Sequence, residues 1–290
     1  MKFPWDKYEE LPLERRNTLQ VFITNKCNLK CTGCFARNIM GENNQNINIG
    51  EYERAVLDFV GKGGKQINLL GGEPLLHPEL SKLICINKYH NLKTTIYTNG
   101  TAFKGYSPED FKDVKLRVSI YSYLDEGGEK SCINIPDSSF KFDFDANFMV
   151  SKGTTLDELI HTAERSEVQF GCKVFFISSL RELDNERKEF FDDTDLTMPV
   201  LQYKELVHRF MDVYVGGMDI HVSKRGVFES TVNQCGNKCK FANYIIGGKV
   251  VQCPYDIVNE KYQEDYEFDK RYCQQNSTCL MSKVIYRRKK

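Results

Sequence analysis

Apolar and polar positions along this chain follow two periods, near two and near 3.6 residues, and the sequence switches between them repeatedly. Thr18–Thr24 is β-branched and apolar and predicts a first strand, after a polar lead-in over 1–17. Asn48 and Glu51 resemble a capping box. The helix after them sets Tyr52, Val56, Phe59 and Val60 on one face, and Gly61, Gly63 and Gly64 end it. Residues 66–70 predict a second strand, running into Gly71-Gly72. Pro78 fits the first turn of a helix that continues to about Tyr89. Residues 94–98 form the next predicted strand, ending at Asn99-Gly100. Ser107-Pro108-Glu109-Asp110 starts a short helix, and 116–121 is again strand-like. Residues 140–150 read less clearly as a strand. A helix over 154–165 presents Leu156, Leu159, Ile160 and Ala163, and a strand follows at 172–178. A helix over 203–214 and a strand over 218–222 complete the pattern.

About six alternations of strand and helix predict parallel strands joined by crossover helices, hence an α/β fold. The expected architecture is a partial (β/α)6 barrel over 18–228, followed by a small cysteine-rich domain over 229–290. The composition changes near 224–234. Inside the second region, 243–252 predict a hairpin turning at Gly247-Gly248. Chemistry in such folds gathers at the C-terminal ends of the strands. A cysteine cluster, Gly71-Gly72-Glu73 and Asn99-Gly100 all directly follow predicted strands, which points to one shared site.

Lysine plus arginine equals aspartate plus glutamate, so the net charge is zero. That balance argues against a whole-protein electrostatic grip on nucleic acid, and the basic run Arg287–Lys290 reads as a solvated tail. No stretch is apolar enough to span a bilayer, and Met1-Lys2-Phe3-Pro4-Trp5-Asp6 has no signal-peptide core, so a cytoplasmic location is expected. In that compartment eleven cysteines do not suggest a disulfide framework; metal or iron–sulfur ligation is the better reading.

Cys27, Cys31 and Cys34 have the spacing C-x3-C-x2-C on one loop. Three thiolates can hold three irons of a four-iron, four-sulfur cluster and leave one iron open to a cosubstrate. Zinc is the alternative, although it usually takes four ligands in paired knuckles. Gly71-Gly72-Glu73-Pro74 follows the second strand; by itself it could be only a turn. Cys85 and Cys172 lie in apolar elements and read as core residues, and Cys132 is isolated. His77, just past the turn, reads as helix-start chemistry. Tyr121 and Tyr123, at the end of the fourth strand, read as packing residues.

The cysteine loop with Phe35 directly after it, together with the Gly-Gly-Glu-Pro turn, resembles the radical S-adenosylmethionine (SAM) superfamily over roughly 18–225. The resemblance implies that Cys27, Cys31 and Cys34 bind a [4Fe–4S] cluster whose open iron is chelated by SAM. It implies cofactor contacts from Phe35, Gly71, Gly72, Glu73, Thr98, Asn99 and Ser119, with Glu73 accepting hydrogen bonds from the SAM ammonium. Residues 147–151 are the best match to an adenine-binding segment, and no residue stands out as a separate catalytic group. Near the C-terminus, Cys235, Gly248 and Cys253 are spaced like the hairpin of SPASM or twitch extensions. On that resemblance Cys235, Cys239, Cys253, Cys273 and Cys279 are candidates for an auxiliary [4Fe–4S] cluster, with zinc as the alternative. The implied activity is cleavage of SAM to a 5′-deoxyadenosyl radical that abstracts hydrogen from substrate, supplied with electrons by a flavodoxin- or ferredoxin-like reductant. A peptide, such as a ribosomally made precursor, or a protein is the expected substrate. A small molecule such as a sugar or nucleoside is the second choice, and a plain iron–sulfur electron carrier the third.

Overall fold

A computed structural model describes residues 7–11, 17–31, 34, 36, 45–121, 143–180, 183–184, 189–190, 195–223, 241–251 and 283–290. The strands are β1 (Tyr8–Leu11), β2 (Thr18–Thr24), β3 (Gln66–Gly71), β4 (Lys93–Thr98), β5 (Val114–Tyr121), β6 (Phe144–Val150) and β7 (Val174–Ser179). They continue with β8 (Leu183–Asp184), β9 (Glu189–Phe190), β10 (Asp219–Ser223), β11 (Phe241–Ile245), β12 (Lys249–Val251) and β13 (Lys283–Arg288). The helices are α1 (Ile49–Gly61), α2 (Leu80–Tyr89), α3 (Leu156–Val168) and α4 (Val200–Val213). Apart from the short pair β8–β9, all strands join one sheet in the order β1-β13-β10-β7-β6-β5-β4-β3-β2-β11-β12. From β2 to β10 the neighbours are parallel, each strand beside the next in sequence. This is the parallel sheet of a partial α/β barrel.

The two faces of the sheet differ because side chains alternate along each strand. One face carries Leu19, Val21, Ile67, Leu69, Ile96, Leu116, Val118, Ala146, Phe148, Phe175, Ile177 and Ile220, which form a continuous core with the helices. Tyr52, Val56 and Phe59 of α1 are fully buried there, each contributing about 1.5–3 kcal/mol. The opposite face is concave and mostly polar in the middle, with Gln20, Asn68, Thr95, Arg117, Ser119, Asp145 and Asn147. A second, smaller apolar cluster sits on it: Phe22, Leu70, Ile245, Val251 and Ala36, with Cys34 and Tyr97 packed alongside.

The element starts follow local chemistry. Asn48 Oδ1 accepts from Glu51 N at 2.8 Å, and Thr155 Oγ1 from Glu158 N at 3.2 Å, so each side chain satisfies an orphan helix donor. The capping box at α1 is only half made. The Glu51 carboxylate turns instead to the C-terminal hairpin, accepting from Gly247 N at 2.7 Å and from the Tyr244 hydroxyl at 3.2 Å. Gly247 and Gly248 both have positive φ, the conformation the predicted turn requires. Pro78 precedes the α2 N-cap, Glu79, rather than lying in the first turn.

Three further sequence expectations change. The lead-in contributes β1, which pairs antiparallel with β13 at the far end of the chain. Arg287 is not part of a solvated tail: it lies in β13 and grips Asp219 of β10 with Nε and Nη2, both at 2.8 Å. Cys172 is buried as expected, but Cys85 is exposed, because helix phase turns it away from buried Leu83 and Ile84. Among the described residues no helix is long and apolar enough to cross a membrane.

Candidate active site

The site is assembled at the C-terminal edge of β2, β3 and β4. Beyond Thr24 the chain is held at its base by a neighbouring segment: Ile47 N donates to Ile23 O at 2.8 Å and Asn25 N to Gln45 O at 3.0 Å. Cys27, Cys31 and Cys34 then follow on one loop, all partly exposed and none in a disulfide. The loop turns back on itself, with Cys34 N donating to Cys31 O at 3.2 Å.

Gly71 and Gly72 bring the next strand's turn against this base. Gly72 N donates to Thr24 O and Glu73 N to Lys26 O, each at 2.8 Å. Such an approach excludes side chains. A Cβ at Gly71, whose φ is +151°, would collide with the Thr24 backbone; one at Gly72 would collide with the Lys26 carbonyl and come within 2.8 Å of Cys27 Cβ. Gly72→Ala is therefore expected to cost about 1–3 kcal/mol through overpacking. It should lower the melting temperature and reduce the iron taken up on reconstitution, read by thermal denaturation and iron assay. An unchanged melting temperature would mean that the turn relaxes freely.

Glu73 is fully buried. Its Oε1 accepts from Thr98 Oγ1 at 2.7 Å and Leu75 N at 3.0 Å, and its Oε2 accepts from Asn99 N at 2.7 Å. The carboxylate thus locks the end of β4 to the turn after β3. Burial pushes its pKa up to about 7, outweighing the opposing pull of the donors from Thr98, Asn99 and Leu75. Thr98 Oγ1 also accepts from Gly100 N at 3.0 Å.

Asn99 connects this clamp to the cysteine loop. Its Nδ2 donates to Asn28 Oδ1 at 3.0 Å and lies 4.0 Å from Cys27 Sγ; its Oδ1 accepts from Thr101 N at 2.9 Å and Thr101 Oγ1 at 2.6 Å. Asn28 Nδ2 closes the circuit on Thr101 Oγ1 at 2.7 Å. Asn28 and Thr101 escaped the sequence reading; their proximity to Cys27 and to Asn99 was the available signal. Ser119 lies partly exposed on the concave face of β5, opposite Asn147 of β6, whose Oδ1 accepts from Ser178 Oγ at 2.8 Å. His77 is structural: Nε2 contacts Ile47 O at 3.0 Å and Nδ1 accepts from Glu79 N at 3.1 Å. Phe35, Tyr123, Cys132, Cys235, Cys239, Cys253, Cys273 and Cys279 lie outside the described residues, as does the side chain of Tyr121.

The loop suits a soft metal cluster by its donors. Three thiols share it, and N–H groups of Leu29 at 3.5 Å and Asn99 at 4.0 Å already point at Cys27 Sγ, as they would at a thiolate. Burial raises the Cys27 thiol pKa, against the opposing pull of the N–H groups of Leu29, Asn28 and Asn99. The sulfurs share a loop and not a finished nest: among the described residues no three His, Cys, Asp or Glu side chains already converge as metal ligands.

Residues 21–126 match the family model of the Radical SAM superfamily, and that segment holds the cysteine loop, the Gly-Gly-Glu-Pro turn, Thr98, Asn99 and Ser119. Over that segment the chain is similar to the Radical SAM superfamily. It is 31% identical over 109 residues to GTP 3′,8-cyclase of Acidothermus cellulolyticus, covering 34% of this chain and 29% of that one. It is 33% identical over 70 residues to GTP 3′,8-cyclase of Chlorobaculum tepidum, covering 24% and 21%. The chain therefore spans under a third of the length of these curated relatives. In fold it resembles Streptococcus suis SuiB bound to S-adenosylmethionine, with TM-score 0.64 and 16% identity over 90% of this chain and 67% of that one. It also resembles anSMEcpe with bound AdoMet and Kp18Cys peptide, with TM-score 0.61 and 16% identity over 86% and 78%.

Proposed function

We propose that the chain cleaves SAM reductively and uses the resulting 5′-deoxyadenosyl radical to modify a peptide. The observation that carries this reading is the bonding of the Gly-Gly-Glu-Pro turn to the base of the three-cysteine loop, through Gly72 N to Thr24 O and Glu73 N to Lys26 O. Cys27, Cys31 and Cys34 would hold a [4Fe–4S] cluster and leave one iron for the amino and carboxylate groups of SAM. When bound, that cluster supplies the electron that breaks a carbon–sulfur bond of SAM. The protein's own part is positional. Glu73, with Oε2 accepting a single N–H, retains capacity for the SAM ammonium while it holds β4 in place. Thr98, Asn99 and Ser119 border the space where the cosubstrate would lie, and Phe35 would pack near its adenine. Gly71 and Gly72 let the turn approach without side chains in the way.

Peptide modification is supported by the extent of the likeness to SuiB and anSMEcpe, which reaches well beyond the N-terminal motifs. The solved structures include SuiB with precursor peptide SuiA and anSMEcpe with Cp18Cys peptide. The sequence relatives named GTP 3′,8-cyclase favour a small-molecule substrate as the second reading. Anaerobic incubation with SAM, dithionite and either GTP or a peptide library, followed by mass spectrometry, separates the two. A product derived from GTP alone would overturn the peptide reading. Electron delivery by a flavodoxin- or ferredoxin-like protein and a cytoplasmic location belong to the same proposal.

An auxiliary cluster is the second part of the proposal. The β11–β12 hairpin begins two residues after Cys239 and ends two residues before Cys253, so its antiparallel register brings the chain ends near these cysteines together. Cys235, Cys273 and Cys279 are the remaining candidate ligands. Wild-type protein should then hold about eight irons. Cys253→Ala should lose up to about half of them while SAM cleavage persists and substrate turnover falls. One bound zinc, with iron unchanged in the variant, would sink this second cluster.

A further inference from the structure

On the concave face Arg117 stands between apolar Leu116 and Val118 in its strand, and only 16% of its side chain is exposed. Its guanidinium carbon lies 3.8 Å from the centre of the Phe176 ring and 4.9 Å from that of Tyr97, and Nη1 donates to the Tyr97 hydroxyl at 2.6 Å. Phe176 in turn packs on His221 at 4.4 Å between ring centres. A row of side chains from β4, β5, β7 and β10 thus holds the guanidinium flat.

Charge and hydrogen bonding at this position are incomplete. Asp145 is the neighbouring carboxylate, and its Oδ2 lies 2.9 Å from Lys115 Nζ but 3.7 Å from Arg117 Nη2. The closer pairing belongs to Lys115, so two cations share one carboxylate. Arg117 Nε is buried and has no hydrogen-bond partner among the described residues. The edge formed by Nε and Nη2 is the edge that takes a carboxylate in a two-bond fork. Arg287 shows the same edge when filled, on Asp219, at 2.8 Å for both bonds. If Arg117 were only a strut for Asp145, the same closed fork would be expected there.

The strand register sets Arg117 beside Tyr97, two residues below Ser119 on the same face and beneath the edge that carries Thr98 and Asn99. A ligand group held there would lie deeper in the concave face than a cosubstrate at that edge. We propose that the open Nε–Nη2 edge of Arg117 binds a carboxylate of the substrate, either an acidic side chain or a chain terminus. This rests on the peptide reading above and gives it a specificity element.

The test uses reconstituted, oxidised holoprotein with 15N-labelled arginine. The Arg117 Nε–H resonance is identified by the ring-current shift that stacking on Phe176 imposes and by its absence from Arg117→Lys. Titration with sodium acetate should move it with saturation at about millimolar affinity, since one charge-assisted pair holds so small a probe. Sodium chloride at equal ionic strength should leave it in place. Acetate should also raise the melting temperature of wild type above its value in chloride, and Arg117→Lys, which keeps the charge but not the fork, should lose that gain. No movement with acetate, or equal movement with chloride, overturns the proposal. So does displacement of acetate by SAM, because the site would then belong to the cosubstrate. Binding of phosphate at least as tight as acetate overturns the carboxylate assignment. Absence of SAM cleavage by the wild-type protein would refute the proposed function and leave the anion result standing.

Discussion

Replacement of Cys27, Cys31 and Cys34 together by alanine is expected to abolish formation of 5′-deoxyadenosine and methionine from SAM by the dithionite-reduced protein. The three thiols share one short loop fixed at its base by Asn25 and Ile47, and the remaining described cysteines, Cys85 and Cys172, lie on other elements. Among the described residues no other thiol lies in that loop to replace them. The loss should extend to the cluster itself: the triple variant should retain only the iron bound elsewhere, about four atoms if the auxiliary cluster exists. Liquid chromatography of the nucleoside products, with iron assay on the same sample, reads both quantities. SAM cleavage that persists in the triple variant would remove the radical SAM assignment of this loop.

Glu73→Gln is expected to weaken SAM binding by about tenfold or more and also to lower the melting temperature of the SAM-free protein. Losing a charge-assisted hydrogen bond to the SAM ammonium accounts for the first effect, at about 1.5–3 kcal/mol. The second follows from the internal partners of the carboxylate. Both oxygens of Glu73 accept, from Thr98, Leu75 and Asn99. A glutamine has one acceptor oxygen, so its amide NH2 must face at least one backbone N–H. A buried donor left without a partner costs about 1–3 kcal/mol. Calorimetric SAM titration and thermal melting separate the two contributions. A lower melting temperature with unchanged SAM affinity would reduce Glu73 to a clamp between β3 and β4.

Much of this could be read from local sequence. The β-branched run of β2, the Asn48 and Thr155 caps and the glycines of the β11–β12 turn act within a few residues of themselves, so their structural effect is visible in the chain. The cysteine spacing and the Gly-Gly-Glu-Pro turn follow predicted strands directly, and parallel strands bring their C-terminal ends to one edge. That is enough to gather Cys27, Glu73, Thr98 and Asn99 at one edge from the sequence.

Other features depended on contacts between residues remote in sequence. Glu51 has the position of a capping-box residue, but Gly247 N and the Tyr244 hydroxyl, nearly two hundred positions away, are the donors it accepts. The lead-in became a strand because β13 offers it an unpaired edge, and a strand of four residues has no pattern strong enough to announce that. Arg287 left the tail because Asp219 meets it across the sheet. Arg117 carries the same point into the site. Its sequence neighbours show only that Lys115 and Arg117 put two charges on one face of a mostly apolar strand. Whether such a charge is satisfied depends on what the adjacent strands place beside it, here Tyr97, Asp145 and Phe176. Local sequence therefore determined the parallel strands from β2 to β7, the caps and the edge where the cysteine loop meets the Gly-Gly-Glu-Pro turn, because those depend on short-range sterics and hydrogen bonding. The tertiary structure alone decided which buried polar groups are paired and which remain open, because partners in a parallel sheet come from separate stretches of the chain.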